Sequence, residues 1–236
     1  MMVKKLTFGE VIRSILYNAW FALASVGLGL VNIVLSRLPD KRLVMANCEL
    51  WSAAQRWGVR RILGIELVIE GEIPKGRVFV AIKHESMFEA VDLPTLLYHP
   101  AIFAKVELLR LPAWGRAAAR YGLVPVERDQ GAKALRAMLA AAREFSSEDR
   151  PLAIFPEGTR VGVGEQPELR SGFIGLYKLI GLPVVPIAVN SGALMRGFWK
   201  RRGVITYRIG EVVPAGLPKE EMIERVHKAI NVLNVS

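Results

Sequence analysis

The chain has 236 residues and carries 32 Lys and Arg against 22 Asp and Glu, a formal charge of +10, with a pI near 10.0 and a mean hydropathy of +0.29. At 52% hydrophobic and 23% charged residues, it is too charged for a protein of many membrane spans and too apolar for a freely soluble one, and its length suits one main domain. The basic balance calls for an anionic partner; the sequence has no zinc pairing, RNP-like aromatic pattern or isolated basic helix, which favours lipid headgroups over nucleic acid.

From the N-terminus, the first element is an uncharged stretch, Ser14–Ser36, closed by Arg13 and Arg37. As a helix it is long enough to cross the roughly 30 Å hydrocarbon layer. Asn18, Asn32 and several glycines weaken it as a span, so an interfacial helix, or a half-inserted hairpin with Leu43–Leu63, stands beside that reading. Basic residues flank both ends and leave its orientation open. The lone Cys48 excludes an intrachain disulfide and suits a reducing compartment. Residues 1–63 are expected to form this membrane-associated helical segment and residues 64–236 a catalytic domain.

Beyond it, short β-rich runs alternate with helical ones. The strands are expected at Glu66–Glu70, Val78–Ile82, Ala101–Ala104, Leu123–Val126, Leu152–Phe155, Val184–Val189 and Val204–Ile209. The helices are expected at Ser86–Leu97, Pro112–Tyr121, Ala132–Phe145, Gly172–Ile180 and Lys219–Leu233. This pattern predicts an α/β fold, a mixed central sheet flanked by helices. Open α/β sheets bind ligands beyond their strand ends, so the polar residues at three strand exits carry the most weight: Lys83-His84, Glu127-Arg128 and the 156–160 run PEGTR.

His99 and His227 read as surface or packing residues, whereas His84 sits where an apolar strand gives way to a helix. Ser86 and Glu89 have the spacing of a capping box. In the alternative reading, Glu89 reaches one ring nitrogen of His84, fixes its tautomer and stabilises the imidazolium, making a general base. Ser86 lacks the G-x-S-x-G elbow of a serine nucleophile.

Four blocks in order resemble the glycerolipid acyltransferases, and among them the 1-acyl-glycerol-3-phosphate acyltransferases. His84-x-x-x-x-Glu89 resembles the His-x-x-x-x-Asp signature, GLVPVER (122–128) the second block, FPEGTR (155–160) reproduces the third, and VPIAVN (185–190) resembles the fourth. Lys105, with Leu109 and Pro112-x-x-Gly115, resembles the Lys-containing stretch between the first two. This chain departs by carrying Glu89 where Asp is usual, and Lys83 and Glu85 where Asn and Gln are common.

The resemblance implies His84 as base and Glu89 as its orienting acid. It also implies glycerol-phosphate binding by Arg128, Glu157, Gly158, Thr159 and Arg160, with Lys105 assisting, and Asn190 in support. Arginine suits phosphate through its planar fork, and lysine adds a point charge. The expected partners are the phospholipid bilayer, lysophosphatidic acid and a thioester donor, acyl-CoA or acyl-carrier protein, with no cofactor or metal. The expected place is the inner (cytoplasmic) membrane, with the catalytic domain facing the cytoplasm. Alternatives are an acyltransferase for glycerol-3-phosphate or a lyso-aminolipid, and a non-catalytic lipid binder of the same fold. One further stretch, Met195–Arg202, mixes aromatics with four cations; it reads as a membrane-interface loop or a solvent-exposed basic one.

Overall fold

Alternation along the strands decides the layering. In β2 (Phe79–Ile82) all four residues are buried. Phe79 and Ala81 face one core while Val80 and Ile82 face the other, as a central strand covered on both faces requires. The computed structural model describes residues 6–111, 114–126 and 131–234. Besides β2, its strands are β1 (Glu66–Glu70), β3 (Ala101–Lys105), β4 (Leu123–Val126), β5 (Leu152–Ile154), β6 (Val184–Val189) and β7 (Val204–Ile209). They form one seven-stranded sheet in the order β1, β7, β6, β2, β5, β3, β4.

Register fixes the direction of the site. β6, β2, β5, β3 and β4 are mutually parallel, with Val80 opposite both Ala153 and Val185. β7 runs antiparallel to β6 and parallel to β1. Five carboxyl ends therefore emerge on one edge of the sheet, the edge where open α/β sheets place their ligands.

Helices α6 (Gly131–Ser147), α7 (Ser171–Ile180) and α9 (Lys219–Asn231) cover one face. They contribute Met138, Phe173, Leu176, Met222, Val226 and Ile230 to the first core. The other face is covered by α3 (Phe88–Leu97), by α5 (Trp114–Tyr121) and by N-terminal residues including Tyr17, Val59 and Leu63. Two short helices, α4 (Val106–Leu109) and α8 (Gly192–Met195), follow β3 and β6.

The N-terminal part is a hairpin of α1 (Phe8–Leu35) and α2 (Lys41–Gly58), followed by one wide π-type turn, Val59–Leu63. α1 begins before the uncharged stretch because Thr7 and Glu10 form a reciprocal capping box. Its inside and outside are reversed relative to a soluble helix: Ser14, Tyr17 and Asn32 are buried, while every exposed position from Phe8 to Val34 is Phe, Gly, Ile, Leu, Ala or Val. α2 continues the apolar face with exposed Leu43, Ala46, Leu50, Ala53 and Trp57.

α1 is long and apolar enough to cross a membrane, yet both its ends are tied to the sheet domain. Ser14 bonds the backbone of Lys200, and Arg120 of α5 donates to the carbonyls of Ser36 and Pro39 at 2.7 and 2.9 Å. The expected division at residue 63 falls beside Gly64, but Tyr17, Val59 and Leu63 share a core with β2 and α3.

Candidate active site

β2 ends at Ile82, and the next residues hold the chemistry in place. Lys83 is fully buried. Its ammonium donates to Glu157 Oε1 at 2.5 Å, to Asn231 Oδ1 at 2.6 Å and to the Glu165 carbonyl at 3.0 Å. Three acceptors satisfy all three ammonium protons, the condition under which a charge can be buried. The other oxygen of Glu157 accepts from His84 N at 3.0 Å, and Val161 N donates to the His84 carbonyl at 2.7 Å. The backbone of His84 is thus stitched to the 156–161 turn on both sides.

The ring of His84 stacks on Phe155, with centroids 4.0 Å apart and planes 22° from parallel. Its side chain is 15% exposed, and Nδ1 faces Glu89 Oε1 at 3.6 Å. Nδ1 is buried without a direct hydrogen-bond partner, so the accessible part of the ring lies elsewhere. The separation is an ion-pair distance, longer than a direct hydrogen bond. Phe155 fixes the ring plane and Glu89 fixes which nitrogen faces inward.

Glu89 does two jobs at once. Oε1 accepts from the backbone N–H groups of Glu85 and Ser86 at 2.5 and 2.7 Å. Oε2 accepts from the hydroxyls of Ser86 and Ser191 at 2.5 and 2.8 Å, and Ser86 Oγ accepts from Phe88 N at 3.1 Å. Fastening the turn that leads into α3 and facing the histidine are therefore one arrangement, and the extra methylene of Glu over Asp is taken up by folding back onto Glu85 and Ser86. Burial pushes the Glu89 carboxyl up, but His84 and the Ser86 donors outweigh it and hold it below the usual range. Glu89 is thus a fixed negative charge facing the ring. Ser86 is buried with its hydroxyl engaged.

Glu85 faces the other way. It is buried, and burial, only partly offset by the Gly192 N–H at 2.8 Å, pushes its carboxyl up to about 7. A Cβ at residue 192 would lie 2.9 Å from Glu85 Oε2, so glycine is what allows this approach. Behind α3, Arg56 of α2 clamps Asp92 through two bonds of 2.6 and 2.7 Å, tying the hairpin to the helix that carries Glu89.

Lys105 ends, and Gly158, Thr159 and Arg160 follow, strands whose carboxyl ends share this sheet edge. Lys105 ends β3 and is exposed; Thr159 and Arg160 are exposed after β5. Gly158 takes the left-handed conformation, φ +69°, at the turn, where side-chain-bearing residues are disfavoured. Arg128 lies outside the described residues, just past the end of β4 at Val126. Asn190 Oδ1 accepts from Thr206 N at 2.8 Å and so joins the exit of β6 to β7. His99 pairs with Glu49, and His227 Nε2 lies 3.2 and 3.1 Å from the carbonyls of Gln166 and Pro167.

Glu157, which the resemblance places among the substrate-binding residues, is buried, with one carboxylate oxygen accepting from Lys83 and the other from His84 N, so it also holds the turn. The sequence reading missed Phe155, Ser191 and Asn231 as supports. Phe155 was visible as the first letter of FPEGTR; Asn231 has no local signal, because it reaches Lys83 across 148 residues.

The sequence profile of the acyltransferase family matches residues 64–190, which includes His84, Glu89, Lys105 and the whole 155–160 turn. The chain belongs to the acyltransferase family. Similar sequences include the 1-acyl-sn-glycerol-3-phosphate acyltransferase of Pseudomonas aeruginosa, 27% identical over 201 residues, which are 84% of this chain and 77% of that one. The enzyme of the same name from Helicobacter pylori is 32% identical over 108 residues, 44% of each chain. The crystal structure of the 1-acyl-sn-glycerophosphate acyltransferase PlsC from Thermotoga maritima superposes with a TM-score of 0.72 at 22% identity, covering 95% of this chain and 94% of that one. This acyltransferase thus shares its fold over nearly its full length, hairpin included.

Proposed function

We propose that this acyltransferase moves a fatty acyl group from a thioester, acyl-CoA or acyl-carrier protein, to the free hydroxyl of 1-acyl-glycerol-3-phosphate, giving phosphatidic acid. The observation that carries the reading is an imidazole clamped between Phe155 and Glu89 at the sheet edge that also bears Lys105 and Arg160. The names of the relatives point to the same acceptor.

The accessible ring nitrogen of His84 takes the hydroxyl proton as the oxygen attacks the thioester carbonyl. Glu89, already ionised, stabilises the imidazolium that forms. When the tetrahedral intermediate collapses, the C–S bond breaks and the departing thiolate takes the proton back from His84. Lys105, Arg128 and Arg160 hold the acceptor phosphate. The chain's own acid–base groups carry the reaction, with the thioester as the co-substrate and no further cofactor.

The apolar outer face of the α1–α2 hairpin supports attachment to a membrane. The ties from both ends of α1 to the sheet domain favour a hairpin seated in one leaflet, and we assign that leaflet to the cytoplasmic side of the inner membrane.

The test is an acceptor panel with labelled acyl-CoA and acyl-carrier protein. Lysophosphatidic acid should be acylated in preference to glycerol-3-phosphate and lyso-aminolipids. His84→Ala should lower turnover by about 10²–10⁴-fold or more at unchanged folding. Near-normal turnover in that variant, or acylation of another acceptor alone, would overturn the reading.

A further inference from the structure

The Met195–Arg202 stretch, which the catalytic machinery leaves unused, is clamped onto the start of α1. Lys200 is buried, and its ammonium donates to the carbonyls of Met195, at 2.8 Å, and Gly197. This folds the loop back on itself. The polar inner face of α1 then grips the loop by its backbone. Lys200 N donates to Ser14 Oγ at 2.9 Å, Asn18 Nδ2 donates to the Phe198 carbonyl at 3.2 Å, and Arg202 N donates to Glu10 Oε1 at 3.2 Å.

A loop held by its backbone turns its side chains outward. Phe198 and Trp199 are 55% and 45% exposed, with their rings edge-on at 4.8 Å. About half of each residue is thus left open to the surroundings. Arg196 and Arg202 are exposed on either side of them. The same end of the hairpin carries the Trp20–Trp57 pair, 4.9 Å between centroids, and exposed Arg60 and Arg61 just past α2. Aromatics that border an apolar face and are flanked by cations match the headgroup layer of an anionic bilayer, where amphipathic rings settle and positive charge is attracted.

We propose that the 196–202 loop is a second membrane contact, docking on anionic phospholipid headgroups and seating the start of α1 at headgroup depth. This deepens the membrane attachment proposed above and rests on it, but not on the identity of the acceptor. The loop is joined through the short α8 to Ser191 and Gly192, which bond Glu89 and Glu85. Seating it on the bilayer therefore brings the mouth of the site to the surface where a lysophospholipid lies.

The test uses the full chain, purified in detergent and mixed with vesicles of phosphatidylcholine alone or with phosphatidylglycerol. Phe198→Ser with Trp199→Ser should lower partitioning about tenfold. Arg196→Ser with Arg202→Ser should cost about fivefold per arginine, only where phosphatidylglycerol is present. A fluorophore on Trp199→Cys, in a Cys48→Ser background, should be quenched more by nitroxides at the headgroup than at the chain centre. Melting temperature and acyl transfer to a detergent-dispersed acceptor should stay at the wild-type level. Loop variants that partition like wild type, or an unquenched probe, would overturn the loop contact while leaving the hairpin attachment standing. A wild-type protein that ignores both vesicles would sink the two together.

Discussion

Helices α1 and α9 stand on opposite sides of the same sheet, α9 directly on β6 and β2 and α1 outside α2, α5 and the π-type turn, and they differ in polarity. α9 buries Met222, Val226 and Ile230, and its exposed residues are Lys219, Glu220, Glu224, Arg225 and Lys228. α1 buries Ser14, Tyr17 and Asn32 and exposes only apolar residues. Each is matched by what faces it: the apolar core for α9, and for α1 a core position for Tyr17 and the Lys200 backbone for Ser14. Water selects charge on α9, and the proposed membrane attachment would account for its absence on α1. The catalytic edge lies between them, and both reach it: α9 through Asn231 to Lys83, the hairpin through Arg56 to Asp92.

The most severe way to break the arrangement is to unpair the charge buried on the α9 side. Lys83→Met leaves Glu157 buried without its cation and should cost about 3–5 kcal/mol in a denaturation experiment. Adding Glu157→Gln should restore part of that loss. Equal stability of the single variant and wild type would show that the pair does not hold the turn.

Glu85 offers a smaller effect with a distinctive pH signature. Its carboxyl is raised to about 7 from an ordinary 4.5, so the folded state holds its proton after the unfolded state has released it. Stability from this group is full below about pH 4.5 and falls as pH rises through 7. Glu85→Gln removes that slope. It should be more stable than wild type above pH 7, by up to about 3 kcal/mol, and lose the advantage in acid. Parallel melting curves against pH for the two proteins would refute this. Glu89, held low, has the opposite sign: its contribution is present above its ordinary pKa and is lost as pH falls through the lowered one.

The smallest effects are expected on the outer face of α1. Serine in place of Leu16, Leu23 or Leu30 should each weaken vesicle partitioning by roughly 1–2 kcal/mol and leave the melting temperature in detergent unchanged. The same exchange at Val226 of α9 should destabilise the fold without touching partitioning. If the α1 variants lower stability instead, the polarity contrast between the two helices is wrong.

Much of this was legible in the residues. All seven strands lie within a residue of their expected limits, because a sheet buried on both faces needs continuous apolar runs bounded by polar turns, and such runs are visible locally. The five longer helices after α2 lie within two residues of theirs, while the short α4 and α8 were not expected. The N-terminal helix was harder: the uncharged stretch starts at Ser14, but the helix starts at Phe8, since the Thr7–Glu10 capping box outweighs the charge of Arg13 as a helix signal. In the site, His84 and Glu89 stood out because they share one helix start. In the sequence, capping and facing the ring are alternative roles for Glu89; in the fold, four donors converge on its carboxylate, which fastens the 85–86 turn while it faces the ring.

The sequence alone determined the fold class, the family blocks and the position of the histidine, since each depends on spacing within a few residues. Only the tertiary structure decided that Glu157 serves Lys83 and the backbone of His84, that Asn231 completes that ion pair, and that both ends of α1 are tied to one domain. Those outcomes depend on contacts between segments far apart in the chain. Only folding brings their donors and acceptors within the 3 Å or so over which hydrogen bonds act.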